Sequence, residues 1–308
     1  MTTRRLSEQE IAHYRDQGYV VVEDLLSEAA LAAIDRDIAR VIDGARAVAK
    51  SNDVYDLEDT HRADRPRVRR IKQPHKHCPA VDAVLRSPQI VAVVGQLVGP
   101  DIRLQGTKLN MKSAEYGAPV DWHQDWAFYP HTNTDVLAVG VMLDDMTEDN
   151  GPLMVLPGSH KGPVYDHHDG GFFRGAFDVA GAGLDISKAV KLKGRRGSIS
   201  IHHALTVHGS SLNRSGADRR LLLFELMAAD AWPLAGTATK WIDLDEFRSR
   251  MIAGELCLEP RMEAAPVRIP QPQPPGVGSI YDYQSTRSKR HFETYHEDAP
   301  APAAAPAK

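Results

Sequence analysis

The sequence predicts a mainly β fold with flanking helices, a double-stranded β-helix of the jelly-roll, cupin-like kind. Two observations predict it. Beyond Asp101, short apolar runs at 103–112, 136–143, 153–156, 198–201 and 221–227 are separated by Gly, Pro, Asn and Ser, the pattern of successive short strands. Helical periodicity is confined to the flanks of that region. Two facing sheets built from such strands leave a mouth between them that can hold a site.

The elements follow in order. Ser7 and Glu10 make a capping-box pattern, and Ile11 and Tyr14 begin the apolar face of a first helix. Residues 18–23 (Gly-Tyr-Val-Val-Val-Glu) read as a short strand. Ser27 opens a second helix in which Leu31, Ile34, Ile38 and Val41 recur at helical spacing. The charged, turn-rich residues 50–70 read as a loop. Within 65–72, however, Arg65, Arg67 and Arg69 alternate as on a half-exposed strand, either a solvated face or a means of recognising an anion. His75-Lys-His77-Cys78 lacks partners at ligand spacing and reads as a solvated loop. Ser87 caps a further short helix with Pro88 at its first position. Residues 241–255 read as a helix closing one end. The organisation expected is one domain over 1–298: N-terminal helices (about 7–100), a jelly-roll core (about 101–230) and a helix/loop extension (about 231–298). Residues 299–308, almost all Ala and Pro, read as a disordered tail.

Composition narrows the function. A net charge of −4 argues against a general binder of nucleic acid or of anionic membranes. Cys78 and Cys257 are the only cysteines and make no disulfide framework, which fits a reducing compartment. No 18-residue apolar run occurs and the first residues lack an apolar leader core, so the expected location is cytoplasmic. A small-molecule substrate is the expected partner; oligomeric state is left open.

The chemistry is concentrated in two stretches. His123 and Asp125 are one residue apart, so on an extended backbone both side chains face the same way. A third ligand from His208 would complete two histidines and one carboxylate on one face of a metal, leaving positions open for O2 and an organic co-substrate. Two other His-x-Asp tripeptides compete. His167 and Asp169 lie in a His-His-Asp-Gly-Gly run that reads as a flexible loop, and His296 and Asp298 sit where the chain turns into Ala and Pro. His202 and His203 are rival distal ligands, for which a supporting role is the better reading. From His208 the chain reads as a strand end, a Gly/Ser/Asn turn and a buried antiparallel partner that starts at Arg219. Arg219 offers a fixed fork for a carboxylate, which Lys cannot. Trp126, Phe128 and Tyr129 follow the metal pair and either wall a substrate pocket or pack the core. The turns at Asn150-Gly151-Pro152 and 157–160 read as shaping the mouth.

Residues 122–125 (Trp-His-Gln-Asp), 150–161 (Asn-Gly-Pro-Leu-Met-Val-Leu-Pro-Gly-Ser-His-Lys) and 208–219, in that order, resemble the signature blocks of the phytanoyl-CoA dioxygenase family. The resemblance implies an Fe(II)/2-oxoglutarate-dependent dioxygenase, with His123, Asp125 and His208 on iron, Arg219 anchoring 2-oxoglutarate, and Ser210 and Asn110 assisting. It implies hydroxylation of an unactivated C–H bond with O2, as 2-oxoglutarate is decarboxylated to succinate. Acyl-CoA hydroxylation, desaturation and epimerisation use the same cofactors. Asp125 disfavours halogenation, which needs a small residue in its place. A non-catalytic metal- or 2-oxoglutarate-binding jelly roll and a zinc hydrolase are the alternatives from other classes. A CoA ester calls for a concentrated basic groove that this slightly acidic chain lacks in sequence, so the expected substrate is a compact polar or anionic metabolite.

Overall fold

A computed structural model describes residues 3–114, 117–235, 243–274 and 279–294 of the chain. The helices are α1 (Glu8–Gln17), α2 (Glu28–Gly44), α3 (Pro79–Leu85), α4 (Pro88–Val98), α5 (Leu244–Ser249) and α6 (Ile280–Ser285). The strands are β1 (Tyr19–Val22), β2 (Tyr55–Leu57), β3 (Val68–Lys72), β4 (Ile102–Lys112), β5 (Val120–His123), β6 (Val136–Met142), β7 (Met154–Val155), β8 (His168–Asp169), β9 (Phe172–Phe173), β10 (Val190–Lys191), β11 (Ile199–His203), β12 (His208–Ser210), β13 (Arg219–Ala228) and β14 (Met251–Ala253).

The larger sheet runs β1-β11-β6-β13-β4-β3-β2, with β14 added to β4, and the smaller runs β10-β7-β12-β5. The pairings within both are antiparallel. This is the jelly roll with flanking helices that the strand pattern predicts. Alternation along β13 shows how the layers form. Leu222, Phe224 and Leu226 join the main core with Leu31, Ile34, Ile38 and Val41 of α2, whereas Leu221 and Leu223 join a separate cluster with Ala138 and Met142. The helices therefore cover one face of the larger sheet, and the other face looks toward the smaller sheet.

The N-terminal elements form for the expected reasons. The Ser7 and Glu10 capping box is complete, and Gly18 ends α1 at φ +80°, a conformation in which a side chain would be strained. Ser27 and Ser87 accept from the backbone N–H groups of Ala30 and Ile90, capping α2 and α4. Among the described residues no single helix is long and apolar enough to cross a membrane.

Four expectations are corrected. Residues 50–70 are not loop throughout: β2 and the start of β3 lie there and extend the larger sheet, β3 falling within the 65–72 stretch read as strand-like. Charge hid them, although much of it is turned inward: Asp56 is buried, and the Arg69 and Arg70 side chains are 17% and 11% exposed. The 75–78 tract is only partly solvated, with Lys76 its one exposed residue. His75 Nδ1 meets Thr107 Oγ1 at 2.6 Å, and Cys78 is fully buried at the start of α3. Residues 167–173 are ordered by the β8–β9 pairing, with Gly170 and Gly171 at positive φ in the turn. Helix 241–255 shrinks to α5 followed by β14; residues 241 and 242, like 296, 298 and the tail 299–308, lie outside the described residues.

Burial of neutral histidines makes the fold acid-sensitive. Burial pulls His131, His167 and His203 down to about 3, each from a usual value near 6.5. Unfolding lets them take protons that the folded state refuses, so stability present above pH 6.5 is lost as pH falls toward 3. At pH 5 each contributes a loss of about 2 kcal/mol. The melting temperature of metal-free protein should be flat from pH 8 to 7 and fall steeply by pH 5; a flat profile across that range would contradict this.

Candidate metal centre

His123 ends β5 and His208 begins β12, and the two stand directly opposite in the antiparallel ladder, so their side chains share a face. Gln124 is extended, which turns Asp125 to the same side, but Asp125 itself opens a short 3-10 turn (Asp125–Ala127) rather than continuing a strand. The Nε2 atoms of His123 and His208 lie 3.6 and 3.7 Å from Asp125 Oδ1. One ligand atom from each residue falls within 4.8 Å of the others, and all three residues are buried. His123 Nδ1 faces the Asp121 carbonyl at 2.8 Å and His208 Nδ1 faces that of Thr206 at 2.9 Å. Each Nδ1 therefore carries the proton, and each Nε2 lone pair is directed at the shared centre, as metal ligation requires.

The electrostatics suit a divalent cation. Burial opposes ionisation of Asp125, but the Lys108 ammonium and the surrounding imidazoles hold its carboxyl well below the usual carboxylate range. Burial and neighbouring His123 push His208 well below its usual value, which keeps it neutral. Gln124 is a buried strut: its side-chain amide donates to Pro163 and Leu205 carbonyls, and its backbone N–H donates to His167 Nε2 at 3.0 Å. His167 is thus a satisfied core histidine. His202 Nε2 stands 3.4 Å from Asp125 Oδ2, so of the rival histidines it touches a ligand. His203, on the other face of β11, meets His160 and Tyr14 instead.

The triad opens on a cavity of about 40 Å³ whose polar wall comes from strand alternation. Lys108, Asn110 and Lys112 of β4 oppose Leu223, Leu221 and Arg219 of β13, and Arg70 of β3 opposes Asn110. All these side chains line the cavity, with Ser210. Arg219 is 2% exposed; its Nη2 donates to the Gly151 carbonyl while Nε has no acceptor among the described residues. Gly151 sits at φ +68°, and a Cβ there would come within 2.6 Å of the Ser211 carbonyl, so the Asn150-Gly151 turn holds the arginine as well as shaping the mouth. Lys112 donates to Ser210 Oγ at 2.8 Å. Burial lowers Arg219 to about 10, and burial beside Arg219 pulls Lys112 well below its usual value. Two buried cations side by side, with no carboxylate paired to either among the described residues, make a receptor for an anion. Asn110 accepts from Arg70 Nε at 3.0 Å, and Lys108 pairs with Glu225 at 2.6 Å while standing 3.9 Å from Asp125.

The three aromatics do not line this cavity. Trp126 is fully buried in the main core, with its indole N–H on the Pro266 carbonyl at 2.7 Å. Phe128 packs edge-on against His123, ring centroids 6.0 Å apart. Tyr129 turns its hydroxyl to Asp125 and Glu225. None of the alternating arginines Arg65, Arg67 and Arg69 lines this cavity; their neighbour Arg70 does. The Lys108, Asn110, Lys112 alternation was readable in the expected strand 103–112; Arg70 and Tyr281, which also lines the cavity, carried no local signal.

The family model for phytanoyl-CoA dioxygenase (PhyH) matches residues 14–221. The chain belongs to the phytanoyl-CoA dioxygenase family. Like the family, it is a 2-oxoglutarate-dependent dioxygenase that uses Fe(II) and O2. Among its relatives is a protein of Stutzerimonas stutzeri named "Probable alpha-ketoglutarate-dependent hypophosphite dioxygenase", 38% identical over 286 residues, 91% of this chain and 97% of that one. L-proline trans-4-hydroxylase of Streptomyces griseoviridis is 33% identical over 160 residues, 46% of this chain and 60% of that one. The crystal structure of EctD from S. alaskensis with 2-oxoglutarate and 5-hydroxyectoine shares the fold, with a TM-score of 0.64 at 21% identity over 86% of this chain and 87% of that one.

Proposed function

We propose that this family member oxidises a small oxyanion, with hypophosphite the first candidate and phosphite the product, as 2-oxoglutarate and O2 give succinate and CO2. The observation that carries this is the charge of the cavity. Arg70, Lys108, Lys112 and Arg219 line a space of about 40 Å³ in which Asp125 is the one acidic lining residue among those described. One anionic group cannot use four cations placed along three strands, β3, β4 and β13, whereas a dianionic co-substrate and an anionic substrate can. The 38% identity to the Stutzerimonas stutzeri protein over nearly the whole of both chains supports the same reading.

In this reading His123, Asp125 and His208 hold Fe(II), which supplies the activation of O2 coupled to decarboxylation of 2-oxoglutarate. Arg219 receives the far carboxylate of the co-substrate through its fork, with Lys112 beside it. Ser210 orients the Lys112 ammonium, and Asn110 does the same for the Arg70 guanidinium. Lys108, fixed by Glu225, stands nearest the iron ligands and balances charge on the substrate side. The packed walls exclude water from the reacting bond. A P–H bond then takes the place of the C–H bond expected from the sequence.

Anaerobically loaded protein exposed to O2 should release about one succinate per phosphite formed from hypophosphite, counted by 31P NMR, with little release from L-proline or acyl-CoA thioesters. Strong coupling confined to thioesters, or to L-proline, would refute the assignment.

A further inference from the structure

Tyr281 lies outside the family-matched residues 14–221, yet it lines the iron cavity. It is 6% exposed, and its hydroxyl meets no hydrogen-bond partner among the described residues. A buried hydroxyl left without a partner is costly, so its position calls for a ligand atom. Its surroundings say which kind. The guanidinium carbons of Arg69 and Arg70 lie 4.6 and 5.4 Å from the ring centroid, so the ring packs on two cations and its residue lines a cavity that Arg70, Lys108, Lys112 and Arg219 make positive. The same ring also borders a neighbouring cavity of about 260 Å³ lined by Arg69, Arg290 and Asp121, so Tyr281 stands between the two spaces.

The ring is rigidly delivered. Ser279 caps α6, and Gln284 closes the free edge of β5, accepting from Asp121 N–H at 2.8 Å and donating to the Gly175 carbonyl at 3.0 Å. Arg287 pairs with Asp121 at 2.8 Å, and the backbone N–H groups of His291 and Phe292 reach the other oxygen of that carboxylate. The segment that carries Tyr281 is therefore strapped to the strand that carries His123.

We propose that the Tyr281 hydroxyl, beside Arg70, donates a hydrogen bond to the oxyanion of the substrate and so helps to set substrate specificity from the C-terminal segment. The proposal rests on the reading of an anionic substrate given above. Arg219 and Lys112 already supply the far carboxylate of 2-oxoglutarate with fixed donors; the Tyr281 hydroxyl feels Arg219 as well, but its ring packs on Arg69 and Arg70 of β3, which places it on the Arg70 side of the cavity.

Tyr281→Phe removes the hydroxyl and keeps the ring between the arginines, so folding should be preserved. Binding of hypophosphite to the anaerobic Fe(II)/2-oxoglutarate protein, read by paramagnetic relaxation of its 31P signal, should weaken by about tenfold or more. Affinity for 2-oxoglutarate, read from the weak visible band of the chelated keto acid, should change less than about twofold. Equal weakening of both would place the hydroxyl on the co-substrate, and no change in either would make it structural; each result overturns the proposal. If wild type neither binds nor oxidises hypophosphite, the substrate reading fails by itself. Tyr281 is then judged on whichever of phosphite, methylphosphonate or acetate triggers succinate release. Unchanged half-saturation for that anion, or no anion triggering release, overturns the Tyr281 assignment.

Discussion

Replacing His208 with alanine should abolish stoichiometric Fe(II) binding, and with it both the visible band formed with 2-oxoglutarate and turnover. The expected loss exceeds the roughly 10- to 100-fold that removal of a residue merely supporting a ligand costs. The graded comparison is what makes the test sharp. His202 stands 3.4 Å from Asp125 Oδ2, so His202→Ala should weaken metal binding within that smaller range while leaving the band visible at high iron. His203 faces the other way, toward His160 and Tyr14, so His203→Ala should lower the melting temperature and leave the band intact. His123→Ala and Asp125→Ala should behave like His208→Ala. A band that survives His208→Ala and disappears in His203→Ala would show that the distal ligand has been misassigned.

Those three histidines also show what the sequence could and could not tell. His208 stood out because a Gly/Ser/Asn turn and an arginine follow it, a local pattern with a geometric meaning: strand, turn, antiparallel return. The jelly roll was legible for the same reason, since strand alternation and turn residues are local. Helices α2 and α4 were legible from their caps and apolar spacing. What escaped was set by contacts distant in sequence. Arg70 enters the cavity because β3 pairs with β4 at Asn110, and nothing in the charged stretch around it distinguishes Arg70 from Arg69. His167 resembled a ligand or a loop residue, and its partner is the backbone N–H of Gln124, more than forty positions away. Trp126 was a reasonable pocket wall by position, but the turn that opens at Asp125 rotates it into the core. Tyr281 is placed by Gln284 and Arg287 binding back onto β5, a tertiary event without local signature.

Arg219→Lys should raise the concentration of 2-oxoglutarate needed to develop the visible band by at least about tenfold, equivalent to about 1.4 kcal/mol of lost charge-assisted bonding. Loss of the bidentate fork accounts for that much. The neighbourhood adds to it. Burial already pulls Lys112 well below its usual value, and a second ammonium in the same dry corner would shed its proton more readily than a guanidinium does. Arg220 is the internal control. It points to the opposite face of β13, where it grips Asp144 through two nitrogens at 2.6 and 3.0 Å and Asp35 at 2.8 Å. Arg220→Lys should leave the 2-oxoglutarate titration unchanged and cost about 1 kcal/mol of stability, because the pair is partly solvated. Titrating the band in both variants alongside their melting temperatures separates the two roles. Equal shifts in the 2-oxoglutarate titration would mean that both arginines face the cavity, contrary to the alternation of the strand.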